Sequence, residues 1–207
     1  MPEIKICGLT CEEDIELINA YPVSYAGFVL FFPKSKRNLT LEQAQHLKRK
    51  LKDSVKTVAV TVAPSLEQVK EIEGAGFDVI QIHGTLHKEV EEKVHIPVFR
   101  AVNVEKEEDI RKVFSERSPK ISYYVFDGKR PGSGEVFDWG FLKKNVDNTS
   151  RIMLAGGLHS ENVANAIKAV QPGIVDVSSG VEKEHGAGKD REKIERFVQA
   201  VLKTDCR

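Results

Sequence analysis

"RIMLAGGLHSENVANAIKAVQPGIVDVSSG", residues 151–180, holds the pattern that decides the fold. "RIMLAGG" (151–157) is an apolar run that breaks at a glycine pair, and it reads as a strand. "ENVANAIKAV" (161–170) sets Val163, Ala166, Ile167 and Val170 on one face at helical spacing. "IVDVSSG" (174–180) is a second strand, closed by serine and glycine. Two strands joined by a helix make a parallel pair with a right-handed crossover.

The same switch between periods runs through the rest of the chain. Strand-like stretches are "IKIC" (4–7), "YAGFVLF" (25–31), "TVAVTV" (57–62), "VIQIHG" (79–84), "VFRAVNV" (98–104) and "YYVFDG" (123–128). Helix-like stretches follow each of them, at 11–21, 41–52, 66–76, 88–94, 106–117 and 139–146, and the last helix covers 191–203. Thr10 with Glu13, Thr40 with Gln43 and Ser65 with Gln68 have capping-box spacing. Eight strand–helix units predict an α/β fold, a single-domain (β/α)8 TIM barrel over residues 1–207. A doubly wound open sheet has the same periodicity and stays open as an alternative.

Composition narrows the class. Hydrophobic residues make up 41% and charged residues 30%, the balance of a chain with a packed core. Lys+Arg and Asp+Glu number 31 each, so no basic field points to nucleic acid. No apolar stretch reaches membrane-spanning length, and "MPEIKICG" lacks the form of a signal peptide. Three scattered cysteines, Cys7, Cys11 and Cys206, form neither a disulfide framework nor a metal motif. A reducing cytoplasm, no membrane or nucleic-acid partner and no metal or other cofactor are the expectations.

In a barrel of this kind, chemistry belongs to the C-terminal ends of the strands. Read in order, those ends present Cys7-Gly8, Arg37 in "FFPKSKR", Thr61, Gln81 and His83, Asp127-Gly128, Gly156-Gly157, and Asp176 to Gly180. The turns at Gly156-Gly157 and Ser178-Ser179-Gly180 follow strands seven and eight, where barrels hold phosphate through main-chain N–H groups. Read from the residues alone, each has a plainer alternative. Cys7 is a small core residue or a reactive thiol. Asp127 is a turn carboxylate or an acid whose pKa burial raises. His83 is a packed histidine or a ligand to phosphate. Arg37 is part of a solvated basic loop or an anion site.

Taken together, "KICGLT" (5–10), "GFVLFFPKSKR" (27–37), "QIHG" (81–84), "FDW" (137–139), "LAGGLHSENV" (154–163) and "DVSSGVE" (176–182) resemble the phosphoribosylanthranilate isomerases of tryptophan biosynthesis, from residue 5 to about 190. The resemblance implies a (β/α)8 barrel that converts N-(5-phosphoribosyl)anthranilate to 1-(2-carboxyphenylamino)-1-deoxyribulose 5-phosphate, an Amadori rearrangement without cofactor. It implies Cys7 as general base, with a near-neutral pKa, and Asp127 as general acid. Arg37 would hold the anthranilate carboxylate. His83, Gly156, Gly157, Asp176, Ser178, Ser179 and Gly180 would line the substrate and its phosphate. The partner is then a small phosphorylated substrate, with the chain a monomer or homodimer.

Three positions depart from the family pattern. Pro131 opens "PGSG" (131–134) where the family has glycine, Ala63 stands in "TVAPS" (61–65) where it has asparagine, and Leu86 stands where it often has glutamate. Rival readings are a barrel isomerase or aldolase for another sugar phosphate, a regulatory barrel that binds a phosphorylated metabolite, and a hydrolase built on a Cys7–His83 pair.

Overall fold

The computed structural model describes residues 1–115, 118–128, 137–146, 149–185 and 187–205. Cys206 and "PGSG" (131–134), with Pro131, lie outside them. Strand β1 (Glu3–Cys7) leads to helix α1 (Glu12–Ala20), β2 (Tyr25–Leu30) to α2 (Leu41–Lys48), β3 (Lys56–Val62) to α3 (Leu66–Gly74) and β4 (Val79–His83) to α4 (Lys88–Lys93). β5 (Val98–Val104) then leads to α5 (Glu107–Ser115), β6 (Ile121–Gly128) to α6 (Gly140–Asn145), β7 (Ile152–Leu154) to α7 (Val163–Val170) and β8 (Ile174–Val177) to α8 (Arg191–Leu202). A two-residue strand, Asn38–Leu39, runs beside the end of β2.

β1 decides between the two architectures. It pairs in parallel with β2, from Lys5↔Tyr25 to Cys7↔Gly27, and on its other side with β8, from Glu3↔Ile174 to Ile6↔Val177. A strand that joins the first and last members of the sheet closes it, so the doubly wound open sheet is excluded. The fold is a single-domain (β/α)8 barrel.

Strand alternation sorts side chains into two cores. Ile4 and Ile6 face outward, toward a layer between barrel and helices that includes Ile15, Ile18, Phe28, Ile80, Phe126, Phe197 and Val198. Cys7, Tyr25, Val58, Val60, Phe99, Val125 and Met153 fill the barrel itself. Lys5, two residues before Cys7 and on its face, is fully buried there. Phe99 stacks edge-on against Tyr25 and Tyr123, with ring centroids 5.5 and 5.3 Å away.

The Thr40–Gln43 and Ser65–Gln68 capping boxes form. The Thr10–Glu13 box does not. The Thr10 amide and hydroxyl both donate to Asp14, at 2.8 and 3.3 Å, and α1 starts one residue later than expected, with Cys11 at its N-cap. Helix α2 stops at Lys48, because the Lys50 and Leu51 amides turn back to the carbonyls three residues before them. α7 starts at Val163 because the Asn162 side chain is taken by the Gly157 carbonyl and the His159 amide. β7 and β8 are shorter than the sequence periodicity suggests, since the chain turns at Gly156-Gly157 and at Ser178.

Candidate active site

The C-terminal ends of β1, β2, β3, β4, β6 and β8 surround a cavity of about 150 Å³. Cys7, Arg37, His83, Asp127, Asp176 and Ser178 all line it, together with Thr61 and Gln81. Six of the ten residues expected at the site therefore meet in one place. Pockets that enclose whole ligands run to about 300–1,000 Å³.

Cys7 ends β1, and its neighbour across the ladder is Gly27. A Cβ at Gly27 would lie 2.9 Å from the Cys7 sulfur, so the absent side chain is what gives the thiol its place. Burial pushes the Cys7 thiol above its ordinary value. The Lys5 and Lys189 ammonium groups pull it back, and Asp176 adds to the rise. The expectation of a near-neutral thiol is thus corrected for the resting site: the sulfur there is held as a thiol by its desolvation.

Asp127 sits on β6 and accepts a hydrogen bond from the Gly128 amide at 2.8 Å. Burial, and after it the Asp176 carboxylate, raise its carboxyl to about 6, against the Gly128 hydrogen bond and the Lys5 charge. A Cβ on Gly156, whose φ is +81°, would fall 2.7 Å from Asp127 Oδ1 and 2.6 Å from the Gly128 nitrogen. This glycine therefore gives Asp127 its room as well as turning the chain.

Asp176 takes both its hydrogen bonds in the cavity from Lys5, at 3.0 Å to each oxygen. Burial works to lower the Lys5 pKa, and the charges and hydrogen bonds of Asp176 and Cys7 together outweigh it, so the ammonium persists. Lys5 was absent from the expected site. Its signal was the strand period, which puts residue 5 on the face of residue 7.

His83 is held near a pKa of about 4 by burial and by the charges of Lys5 and Arg100, and it is neutral. Its Nε2 lies 2.9 Å from Gln81 Nε2. That contact engages Nε2, and the lowered pKa leaves the ring a poor base for the Cys7–His83 pair of the hydrolase reading. Thr61 Oγ1 and Gln81 Oε1 are buried in the cavity wall without hydrogen-bond partners.

Arg37 follows the "PKSK" turn, and its Nε donates to Glu182 Oε1 at 2.5 Å. Lys36 and the fully buried Lys189 reach the same carboxylate at 2.9 and 3.4 Å. Neither Glu182 nor Lys189 was among the expected residues, although "DVSSGVE" contains the first. The Ser178 hydroxyl donates to the Cys7 carbonyl at 3.0 Å rather than standing free for a ligand. Ser179 and Gly180 begin the 3-10 turn Ser179–Val181, which packs on the turn after β7 at Leu158 and His159. The two glycine turns are thus adjacent, as the phosphate reading requires. Among the described residues, no cluster of His, Cys, Asp or Glu is placed to hold a metal ion, and no helix is long and apolar enough to cross a membrane.

Comparison with known proteins gives the same direction. Residues 4–200 match the family model described as N-(5'phosphoribosyl)anthranilate (PRA) isomerase. The N-(5'-phosphoribosyl)anthranilate isomerase of Clostridium acetobutylicum is 41% identical, over 98% of this chain and 99% of that protein. The crystal structure of phosphoribosyl anthranilate isomerase from Thermotoga maritima superposes with a TM-score of 0.86 at 32% identity, covering 98% of this chain and all of that one. A phosphoribosyl anthranilate isomerase solved in complex with reduced 1-(o-carboxyphenylamino)-1-deoxyribulose 5-phosphate gives 0.84 at 31%, with 98% and 100% coverage.

Proposed function

The chain belongs to the N-(5'-phosphoribosyl)anthranilate isomerase family of tryptophan biosynthesis, and from that premise we propose that Cys7 is the general base and Asp127 the general acid of its reaction. The reaction is a ketose–aldose isomerisation of the phosphoribosyl group. Asp127 gives its proton to the ribose ring oxygen as the C1′–O bond breaks, and the ring opens to a Schiff base. Cys7 removes the proton from C2′, leaving an enolamine. Proton transfer back and tautomerisation yield the ketose, with no net change in atoms or electrons.

The observation that carries this reading is that Cys7, at the end of β1, and Asp127, at the end of β6, line one cavity. A carboxyl raised to about 6 retains a proton to give near neutral pH. The thiol on the same cavity holds its proton tightly, so the thiolate, once formed, is a strong base. Lys5 supplies the charge that lets it form.

Arg37 reads the anthranilate carboxylate, for which a guanidinium is the matched partner. His83 and Asp176 border the sugar. The main-chain N–H groups of Gly156, Gly157, Ser179 and Gly180 hold the phosphate, and Ser178 acts by fixing the end of β1. The substrate is a small phosphorylated molecule. A cytoplasmic place and the choice between monomer and homodimer belong to the same reading.

Turnover of phosphoribosylanthranilate by Cys7→Ala and Asp127→Asn tests it. Each is expected to lose ~10²–10⁴ in kcat, the worth of a positioned acid or base, with the fold intact by circular dichroism. Near-normal turnover in either would remove that residue from the mechanism. Arg37→Ala is expected to weaken a reduced product analogue by ~10- to 10³-fold, and to leave the same analogue lacking the ring carboxylate unaffected.

A further inference from the structure

Glu182 is a carboxylate on the rim of a site that must attract an anion, and the family reaction gives it no part. Its side chain is 14% exposed and lies among three cations. Arg37 Nε and Lys189 Nζ reach Oε1, and Lys36 Nζ reaches Oε2. Lys189 is fully buried and also donates to the Ser178 carbonyl at 3.2 Å. Its own amide donates to Asp14 on α1 at 2.6 Å. Glu182 and Lys189 face each other across an antiparallel bridge, which makes their loop a short two-sided clasp. The Arg37 side chain lies over Gly8, where a Cβ would collide with its Cδ.

We propose that Glu182, anchored by Lys189, is the positioning residue for Arg37: it holds the guanidinium by Nε and leaves the Nη donors for the substrate carboxylate. This rests on the reading of Arg37 given above. A guanidinium has five N–H donors, one on Nε and four on the two Nη atoms. With Nε engaged, the outer edge keeps the two parallel donors that a carboxylate needs. Three cations against one carboxylate leave a surplus of two positive charges, so Glu182 orders the arginine without cancelling the attraction for an anion. Burial works to raise the Glu182 carboxyl, but the hydrogen bonds from Arg37 and Lys36 and the Lys189 charge hold it down at about 2, and it stays ionised wherever the enzyme works. Through Lys189 and Ser178 the same carboxylate ties the loop after β2 to the turn after β8, so the two anion-holding ends of the site share one fixed point.

The test uses Glu182→Gln, which keeps the shape and removes the charge, with Glu182→Asp as the second variant, which keeps the charge and withdraws it by one methylene. Each is measured for kcat and KM on phosphoribosylanthranilate, and for binding of two reduced product analogues, with and without the ring carboxylate. The same pair of analogues is run on Arg37→Ala and on the double variant Arg37→Ala/Glu182→Gln. Expected for Glu182→Gln is a rise in KM of about tenfold with kcat within about twofold, and about tenfold weaker binding of the carboxylated analogue only. Glu182→Asp is expected to fall between it and the wild type, and Glu182→Gln is expected to add nothing on top of Arg37→Ala. Equal weakening of both analogues by Glu182→Gln and Glu182→Asp, or a full additive effect in the double variant, would overturn the proposal while leaving Arg37 in its role. If Arg37→Ala itself treats the analogues alike, the carboxylate reading falls and the positioning role falls with it.

Discussion

Lys5 Nζ lies 3.0 Å from both carboxylate oxygens of Asp176, its register partner on β8, inside the barrel and one layer below Cys7. The side chains are 0% and 8% exposed. Such a pair is weak evidence of stabilisation, because both ions give up water. Its electrostatic effect on the site is more telling. For Cys7 the larger of the two influences is the Lys5 charge, which lowers the pKa. For Asp127 it is the Asp176 charge, which raises it. A neutral pair thus acts as a dipole that moves base and acid toward each other.

Breaking this pair on one side should be severe. Lys5→Met leaves the Asp176 carboxylate buried and uncompensated, and a loss of about 3–5 kcal/mol in urea unfolding is expected. The double variant Lys5→Met/Asp176→Leu should recover most of that stability and remain slow in turnover. A single variant as stable as the wild type would mean that the charges are solvated, contrary to their burial.

Asp127→Asn should separate function from stability. Its carboxyl is raised from 3.8 to about 6 in the folded chain. Between those values the folded chain binds more protons than the unfolded one, so stability falls as pH rises through that window and is lowest above it. Two pKa steps correspond to at most about 3 kcal/mol. Asparagine keeps the acceptor for the Gly128 amide and never ionises. Expected is an inactive enzyme more stable than the wild type at pH 7, by roughly 1–3 kcal/mol, and about equally stable near pH 4. Equal stability of the two proteins at pH 7 would count against the raised carboxyl.

The pH dependence of kcat/KM follows from the same two groups. Only one proton is held between Asp127 and Cys7 over the range from about 6 to the raised thiol value. The working form, with protonated acid and thiolate, has that same proton count, so it is a constant minority across the range. A plateau is expected there, falling below about pH 6 as both groups become protonated. A profile that stays flat well into the acid side of 6 would show that Asp127 does not titrate there.

Two glycines give a steric test. Gly27→Ala would press on the Cys7 sulfur, and Gly156→Ala on the Asp127 carboxylate and the Gly128 amide at a φ of +81°. Both variants are expected to fold with some loss of stability and to lose at least about tenfold in kcat, as displaced catalytic groups do. Gly74→Ala, which meets nothing within 4 Å, is the control and is expected to keep full activity.

The barrel was legible because each strand–helix unit carries its own periodicity, and the family motifs sit where the strands end. Closure was not, since no local pattern says that β1 meets both β2 and β8. Cys7, Asp127 and Arg37 were legible as residues but not as electrostatics: the direction of the Cys7 shift depends on burial and on Lys5, Asp176 and Lys189, which are distant in sequence. Lys5 had a readable signal in the strand period, which puts it on the face of Cys7. Lys189 had none, since a lysine in "HGAGKD" looks solvated until Asp14 and Glu182 are seen to enclose it.

The contact of Asp14 with the Lys189 amide, and the β1–β8 ladder beneath it, also bear on how the molecule is made. Translation runs from the N-terminal to the C-terminal side, so Cys7 and Lys5 emerge well before Asp176 and Lys189. Until β8 and the loop after it have been synthesised, β1 has an open edge and Lys5 has no carboxylate to meet. β1 therefore depends on the later-made β8 and the loop after it for its electrostatic environment, and a nascent chain acquires a working centre only as its eighth repeat clears the ribosome.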